Sequence, residues 1–324
     1  YVKKNPFGIK GDFTTSPNIS ILFSEMIAIW IISFWENLKQ PKKFNLIELG
    51  AGNGEMIKQM INVFNRFPKF KDCCNIQILE KSELLKKIQK KNLQNEKIKW
   101  LKNLNEVSNI TNIFVANEFF DALPVKQFIK KKNKWYERNV IFKTLEKSEF
   151  IDLKTDIKKL DKHVDFKISY KQEFIEYSPL TVKYLKVISK KINSYNGGIL
   201  IIDYGYWGHK MKNTIKSIYK HKHNNALDNF GKSDITYNLN FKFLEKILKK
   251  NGLHISGMIE QGAFLKNLGI LKRAETISKR LPFSKKADLY YRLKRLIDKN
   301  LMGELFKVIV ATNKSIKIKA GFVN

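Results

Sequence analysis

Short, almost unbroken apolar runs recur along this chain, separated by stretches with helical periodicity. Residues 46–49, 76–79, 113–116, 199–202 and 306–311 are such runs, with the length and β-branched content of strands buried on both faces. Strands of this kind alternating with helices predict an α/β fold: a Rossmann-like, largely parallel sheet with helices on both faces and further helical insertions. Residues 19–35 are apolar too, but the run is under 20 residues and carries Ser24 and Glu25, so it predicts a buried helix and no membrane span. Ser16 and Pro17 precede it as N-cap and first helical residue.

The remaining pattern bears on domain organisation. Residues 126–190 mix short amphipathic pieces with Lys-rich loops, including a hairpin strand at 135–138 and a helix around 174–191; they are expected to form an insertion. Residues 265–301 look helical and basic, a helical subdomain leaning over the sheet edge to shape a groove for a partner. The whole of 1–324 is then one domain. Because the chain opens on Tyr1, it is expected to lack its original N-terminal segment.

The first strand runs into Glu48-Leu49-Gly50-Ala51-Gly52-Asn53-Gly54-Glu55. Three glycines at a strand-to-helix turn let the backbone approach a ligand that side chains would exclude. The pattern differs from the dinucleotide fingerprint, whose third glycine lies deeper in the helix and whose helix N-terminus holds a pyrophosphate. Carboxylates beside this loop would repel a diphosphate and favour S-adenosylmethionine, which carries a sulfonium cation, an amino acid and a ribose diol. Glu80 ends the second strand at the spacing where an acidic residue bonds ribose hydroxyls in doubly wound folds. After the third strand-like run come Asn117, Glu118 and Asp121, at the sheet edge where ligands bind. If that loop is helical, Glu118 and Asp121 share a face and together hold a cation such as a guanidinium.

Composition narrows the partners. The 61 basic against 30 acidic side chains give a formal charge of +31, which would suit nucleic acid or an anionic membrane. Lys far outnumbers Arg, however, and comes with abundant Ile and Asn, the imprint of an AT-rich genome on exposed positions; nucleic-acid binding is therefore disfavoured. Cys73 and Cys74 are adjacent, which suits a reducing compartment. Of the five histidines only His221 and His223 lie close together, and no metal is expected.

Taken in order, Gly11-Asp12-Phe13-Thr14-Thr15-Ser16-Pro17, the glycine block, the block 116–124 (Ala-Asn-Glu-Phe-Phe-Asp-Ala-Leu-Pro), Trp135-Tyr136-Glu137-Arg138, Ile201-Ile202-Asp203-Tyr204-Gly205 and Met302-Gly303-Glu304-Leu305-Phe306 resemble the MidA-type class I methyltransferase family over nearly the whole chain. That family includes a mitochondrial arginine methyltransferase of complex I assembly. The resemblance implies S-adenosylmethionine as cofactor, with Gly50, Gly52 and Gly54 lining its turn, Glu48 beneath it and Glu80 on the ribose. Asp12, Thr14, Thr15 and Ser16 belong to a loop closing over it. Asn117, Glu118 and Asp121 would face the transferable methyl, and Gln261-Gly262-Ala263-Phe264-Leu265 matches a later family stretch. Asn18 stands where the family commonly has Glu, and Asn240 where it commonly has Asp.

The implied function is methylation of an arginine side chain in a protein substrate, a subunit of a respiratory complex I type, in a bacterial cytoplasm or a mitochondrial matrix; a homodimer is one open assembly. Glu118 and Asp121 would orient the guanidinium, whose pKa above 12 requires a carboxylate to take up charge. Two rival readings are a cofactor-binding assembly chaperone with little catalysis and, from charge alone, an RNA methyltransferase.

Overall fold

The computed structural model of the protein describes residues 16–94, 96–144, 148–219, 222–228, 233–314, 316 and 318–322. Asp12, Thr14, Thr15, His221 and the side chain of His223 lie outside them.

The chain enters through a single turn, α1 (Ser16–Ile19), and the apolar helix α2 (Ile21–Asn37), then forms β1 (Phe44–Leu49), α3 (Glu55–Phe64), α4 (Pro68–Cys73), β2 (Cys74–Leu79), α5 (Glu83–Asn92), β3 (Ile98–Leu101) and β4 (Thr111–Asn117). A second, antiparallel sheet follows, from β5 (Lys126–Lys131), β6 (Lys134–Phe142), β7 (Ser148–Lys154) and, after α6 (Ile157–Val164), β8 (Phe174–Tyr177). Helix α7 (Pro179–Tyr195) returns the chain to the central sheet as β9 (Gly197–Tyr206). A small sheet comes next, with β10 (Lys216–Tyr219), β11 (Lys222–Asn224) and β12 (Asp234–Thr236), then the short β13 (Leu239–Asn240), α8 (Phe241–Lys250) and β14 (His254–Glu260). Helices α9 (Gln261–Asn267), α10 (Ile270–Ser278), α11 (Phe283–Ile297) and α12 (Met302–Leu305) lead to the last strand, β15 (Phe306–Thr312).

The central sheet has the order β14-β15-β9-β4-β1-β2-β3, with β13 paired to the end of β9. Strands β3, β2, β1, β4 and β9 are parallel. Strand β15 runs antiparallel to both β9 and β14. The strand order reverses between β1 and β4, which opens a crevice at their carboxyl ends. Alternate residues feed two cores: Leu46, Ile113 and Val115 pack with α2, α3 and α9–α11, while Ile47, Leu49, Phe114 and Ala116 pack with α7, α8 and the second sheet. Burial on both faces explains why these strands are continuous apolar runs.

Three local expectations change. Ser20 caps the long helix, its hydroxyl accepting from the Leu22 amide at 3.3 Å, while Ser16 starts the separate turn before it. The stretch 174–191 is a strand, then a helix. Phe174–Tyr177 pairs with β5; Ser178, disfavoured from helical geometry by the following Pro179, caps α7 through the Thr181 amide. The residues 265–301 break at Gly269, which is left-handed with φ +88°, and at Pro282, the N-cap of α11. The resulting helices are fastened to α2: Arg273 donates to both oxygens of Glu25 at 2.7 and 2.8 Å, and the Trp30 ring meets Phe264 at 6.5 Å.

The opposite, amino end of the parallel strands is pinned by a buried amide chain. Gln77 donates to Asn45 Oδ1 at 2.9 Å, and Asn45 donates to Asn112 Oδ1 at 2.8 Å and to Ser108 Oγ at 3.0 Å. The chain ties β1 to both parallel neighbours in one register. Asn45→Leu strands the buried Gln77 donor and the Asn112 acceptor, so we expect a loss of roughly 2–4 kcal/mol in urea unfolding, larger than for a substitution at an exposed strand position.

Candidate active site

The turn after β1 lies at the reversal of strand order. Gly50, Gly52 and Gly54 all adopt left-handed backbone, with φ of +67°, +55° and +85°, a conformation that costs other residues about 1 kcal/mol or more. Gly54 is the N-cap of α3, and Asn53 Oδ1 accepts from the Glu55 amide at 3.1 Å. A β-carbon on Gly50 would stand 2.7 Å from the Phe119 ring, so a side chain there would force the β4 loop away.

Glu48, Gly50, Gly52, Asn117 and Glu118 line one cleft, together with Pro17, Asn18 and Met56. Glu48 is buried, and its Oε2 has no hydrogen-bond partner among the described residues. Burial, with Glu80 adding repulsion, raises its carboxyl from the ordinary range to about 8. Asn117 likewise leaves a buried Oδ1 without a partner there. Glu80 is buried beside the glycine turn and accepts from the Ser82 amide at 2.9 Å. A hollow of about 200 Å³ opens next to it, lined by Lys81, Leu104, Leu180, Tyr184 and Val187. Phe119 joins the two spaces: it packs on Gly50, and its ring lies 5.3 Å from that of Tyr184.

Beyond β4 the loop is not helical. Glu118 takes a left-handed φ of +49°, so it does not share a helix face with Asp121. They are neighbours for another reason: Asp203, on β9 just past its last partner in β4, accepts from the amides of Phe120 and Asp121 at 3.0 and 3.3 Å and folds the turn back on the sheet edge. Glu118 Oε1 accepts from the Ser16 amide at 2.9 Å and from Asn117 at 3.3 Å. Asp121 Oδ2 accepts from the Thr236 hydroxyl at 3.1 Å, and its buried Oδ1 has no partner among the described residues. Burial raises Glu118 to about 7, against the Ser16 bond and with Asp121 adding repulsion. Burial also raises Asp121 to about 6, and Tyr204 beside them rises to about 12.

The structure thus brings Gly50, Gly52, Glu48, Asn117 and Glu118 to one cleft, with Glu80 near Glu48 and Asp121 near Glu118. Ser16 is also there, but through its backbone amide; its hydroxyl is buried without a partner among the described residues. Two contributors were not picked out from sequence. Gln89 is fully buried and bridges the Gly52 carbonyl at 2.8 Å and Glu80 at 3.2 Å while accepting from Trp100 at 2.9 Å. Its signal was a polar residue four positions after Leu85 on the apolar face of α5. Asp203 was visible only as a member of the 201–205 block that the family resemblance includes. Asn240 has a structural post, capping α8 through the Phe243 amide at 2.9 Å and donating to the Gly208 carbonyl at 3.1 Å. Asn18 accepts from Asn53 at 3.2 Å across the mouth of the cleft.

Among the described residues, no group of three or more His, Cys, Asp or Glu side chains is placed to hold a metal ion. No helix among them is long and apolar enough to cross a membrane.

A parallel sheet with one reversed strand, a glycine turn at its switch point and acidic side chains facing the cleft define an S-adenosylmethionine-dependent methyltransferase. The comparisons agree. Residues 26–259 match the family described as "Putative S-adenosyl-L-methionine-dependent methyltransferase", and the chain belongs to that family. It is 28% identical over 334 residues to the mitochondrial protein arginine methyltransferase NDUFAF7 of Xenopus laevis, covering 95% of this chain and 76% of the relative. It is 28% identical over 333 residues to the human protein of the same name, covering 94% and 74%. A superfamily member from Burkholderia thailandensis, crystallised with S-adenosyl-homocysteine, shares the fold with a TM-score of 0.79 at 22% identity, over 98% of this chain and 84% of that one.

The unpaired acceptors suit this cofactor, because an ammonium and a sulfonium supply the positive charge that the buried acids lack. Carboxyls with raised folded values bind protons that the unfolded chain has released, so stability falls as pH rises from the unfolded range near 4.5 through the folded values. We expect the thermal midpoint of the ligand-free protein to decline between pH 5 and 8. Glu48→Gln should flatten that decline, as read by calorimetric scans at constant ionic strength.

Proposed function

We propose that the protein methylates arginine side chains of a protein substrate, as the names of its mitochondrial relatives suggest, and, as the family resemblance implies, that the substrate is a subunit of a respiratory complex I type. The observation that carries this reading is the acid block: Glu118, Asp121 and Asp203 are clustered at the sheet edge, with raised carboxyls and no salt bridge to Lys or Arg among the described residues. A planar guanidinium, which cannot give up its charge in water and bonds carboxylates in pairs, is the side chain best matched to that block.

In this reading Gly50, Gly52 and Gly54 receive the cofactor at the turn, Glu48 takes its ammonium group, and Glu80 bonds its ribose hydroxyls, with Gln89 holding Glu80 and the turn together. Ser16 holds Glu118 through its backbone amide, and the cofactor contacts expected of Asp12, Thr14 and Thr15 fall outside the described residues. The cofactor supplies an activated methyl group. The protein's part is alignment and charge: Asn117 and Glu118 orient the acceptor nitrogen while Asp121 balances the charge that builds on it. The hollow beside Glu80, walled by Leu104, Leu180 and Val187, has the size and apolar lining for a purine. Residues 126–190 and the helices of 265–301 are the parts left to grip the substrate protein, and a mitochondrial matrix location belongs to the same reading.

The test is transfer of labelled methyl from S-adenosylmethionine to proteins of a cell extract, followed by identification of the modified residue. We expect methylarginine. Glu118→Gln and Asp121→Asn should each lower transfer roughly 10²-fold while cofactor still binds. Gly52→Val, placing a branched side chain at φ +55°, should abolish both. Label on lysine or RNA, or full transfer by both acid variants, would refute the assignment.

A further inference from the structure

Asp203 is the most enclosed acid of the site, with 0% of its surface exposed. Besides the Phe120 and Asp121 amides at Oδ2, it accepts from the Tyr204 amide at 2.8 Å through Oδ1. Three backbone donors therefore define its position, and that position defines the course of the turn bearing Asp121. Asp121 is itself only 9% exposed. With Oδ2 on Thr236, it keeps a buried oxygen for which the described residues offer no donor. The Asp121 and Asp203 side chains lie within hydrogen-bonding reach of each other, and two buried carboxyls so placed cannot both ionise unless a cation joins them; one proton held between them supplies the missing donor.

The surroundings favour that proton. Glu118 approaches from the β4 loop, Tyr204 from β9 and Tyr237 from the link between β12 and β13, and none of the three is a cation. Lys307 lies opposite Asp203 in the β15 register, but its ammonium goes to the Glu304 carbonyl and towards Glu260 at 3.8 Å. Arg295 acts on Tyr204 from α11. Burial first, then Asp121 and Glu118, drive the Asp203 carboxyl well above its usual range.

We propose that Asp203 is a positioning residue that shares one proton with Asp121, making the acid block a receptor whose cation binding is coupled to proton release. This rests on the arginine reading above and extends it. Methylation of a guanidinium forms one N–C bond and breaks one N–H bond; the electron pair of the broken S–C bond stays on sulfur, and the product keeps a single positive charge. The displaced proton therefore needs an acceptor, and Asp121, which has given up the shared proton on binding the guanidinium, is that acceptor. Asp203 touches neither partner and acts by setting Asp121's position and proton affinity.

The test is a carboxyl ¹³C NMR titration of Asp-labelled full-length protein from pH 4 to 9, for wild type, Asp203→Asn and Asp203→Ala. Asparagine can keep its oxygen on the Phe120 and Asp121 amides, giving up the Tyr204 amide bond, and it has no proton to share in this pH range. We expect two coupled steps in wild type, and in Asp203→Asn a single Asp121 step lowered by about one unit or more. The acid limb of the methyl-transfer pH profile should move the same way. Asp203→Ala should lose the turn's order, so that Asn but not Ala preserves cofactor binding. An Asp121 titration unchanged in Asp203→Asn would overturn the shared proton, even if arginine proves to be the acceptor. Coupled titration without arginine methylation would instead leave the pair standing and remove the substrate reading.

Discussion

Carboxyl groups buried without a counter-ion are the constraint on which the rest of this structure depends. Glu48, Glu80, Glu118, Asp121 and Asp203 converge at the carboxyl ends of β1, β2, β4 and β9, and none forms a salt bridge among the described residues. The chain as a whole carries +31, so basic side chains are abundant, yet they stay on the surface or pair elsewhere. Burial makes Glu48, Glu118, Asp121 and Asp203 costly as anions, and their raised carboxyls record that cost. The natural remedy is positive charge brought by a ligand, which the sulfonium amino acid of the cofactor supplies on one side and, in the function proposed above, a guanidinium on the other.

The fold exists to hold this arrangement still. Parallel strands buried on both faces give a rigid floor, and the amide chain through Gln77, Asn45 and Asn112 fixes the register at the far end. A one-residue slip there would turn every side chain to the other face. At the near end the backbone supplies the precision: left-handed glycines after β1, a left-handed Glu118 after β4, and three amides on Asp203. Helix α2, clamped to α10 by the Glu25–Arg273 pair, brings the N-terminal turn against Glu118 through the Ser16 amide.

Much of this was legible in the chain itself. The buried strands announced themselves as apolar runs because both of their faces are covered, and the glycine turn and the acids beyond β1, β2 and β4 marked the ligand edge. What did not show were relations set by tertiary contact. Nothing local told that Glu118 would be left-handed or that Asp203, more than 80 positions along, would fold its loop. Gln89 looked like any polar helix residue until its helix face was known. Helix ends also moved where a single residue decided them, as at Ser20, Pro179 and Gly269, since hydrophobic periodicity does not see caps and breaks. Asn240 shows the reverse case: it stands where the family commonly has Asp, and the side chain turned out to cap a helix.

The most direct trial of the central claim is isothermal calorimetry on the full chain near pH 7, with S-adenosylmethionine and NAD as paired titrants. A cleft of unpaired buried acids should give saturable heat with the sulfonium cofactor and none with the diphosphate. Saturable binding of NAD with no response to S-adenosylmethionine would contradict the account.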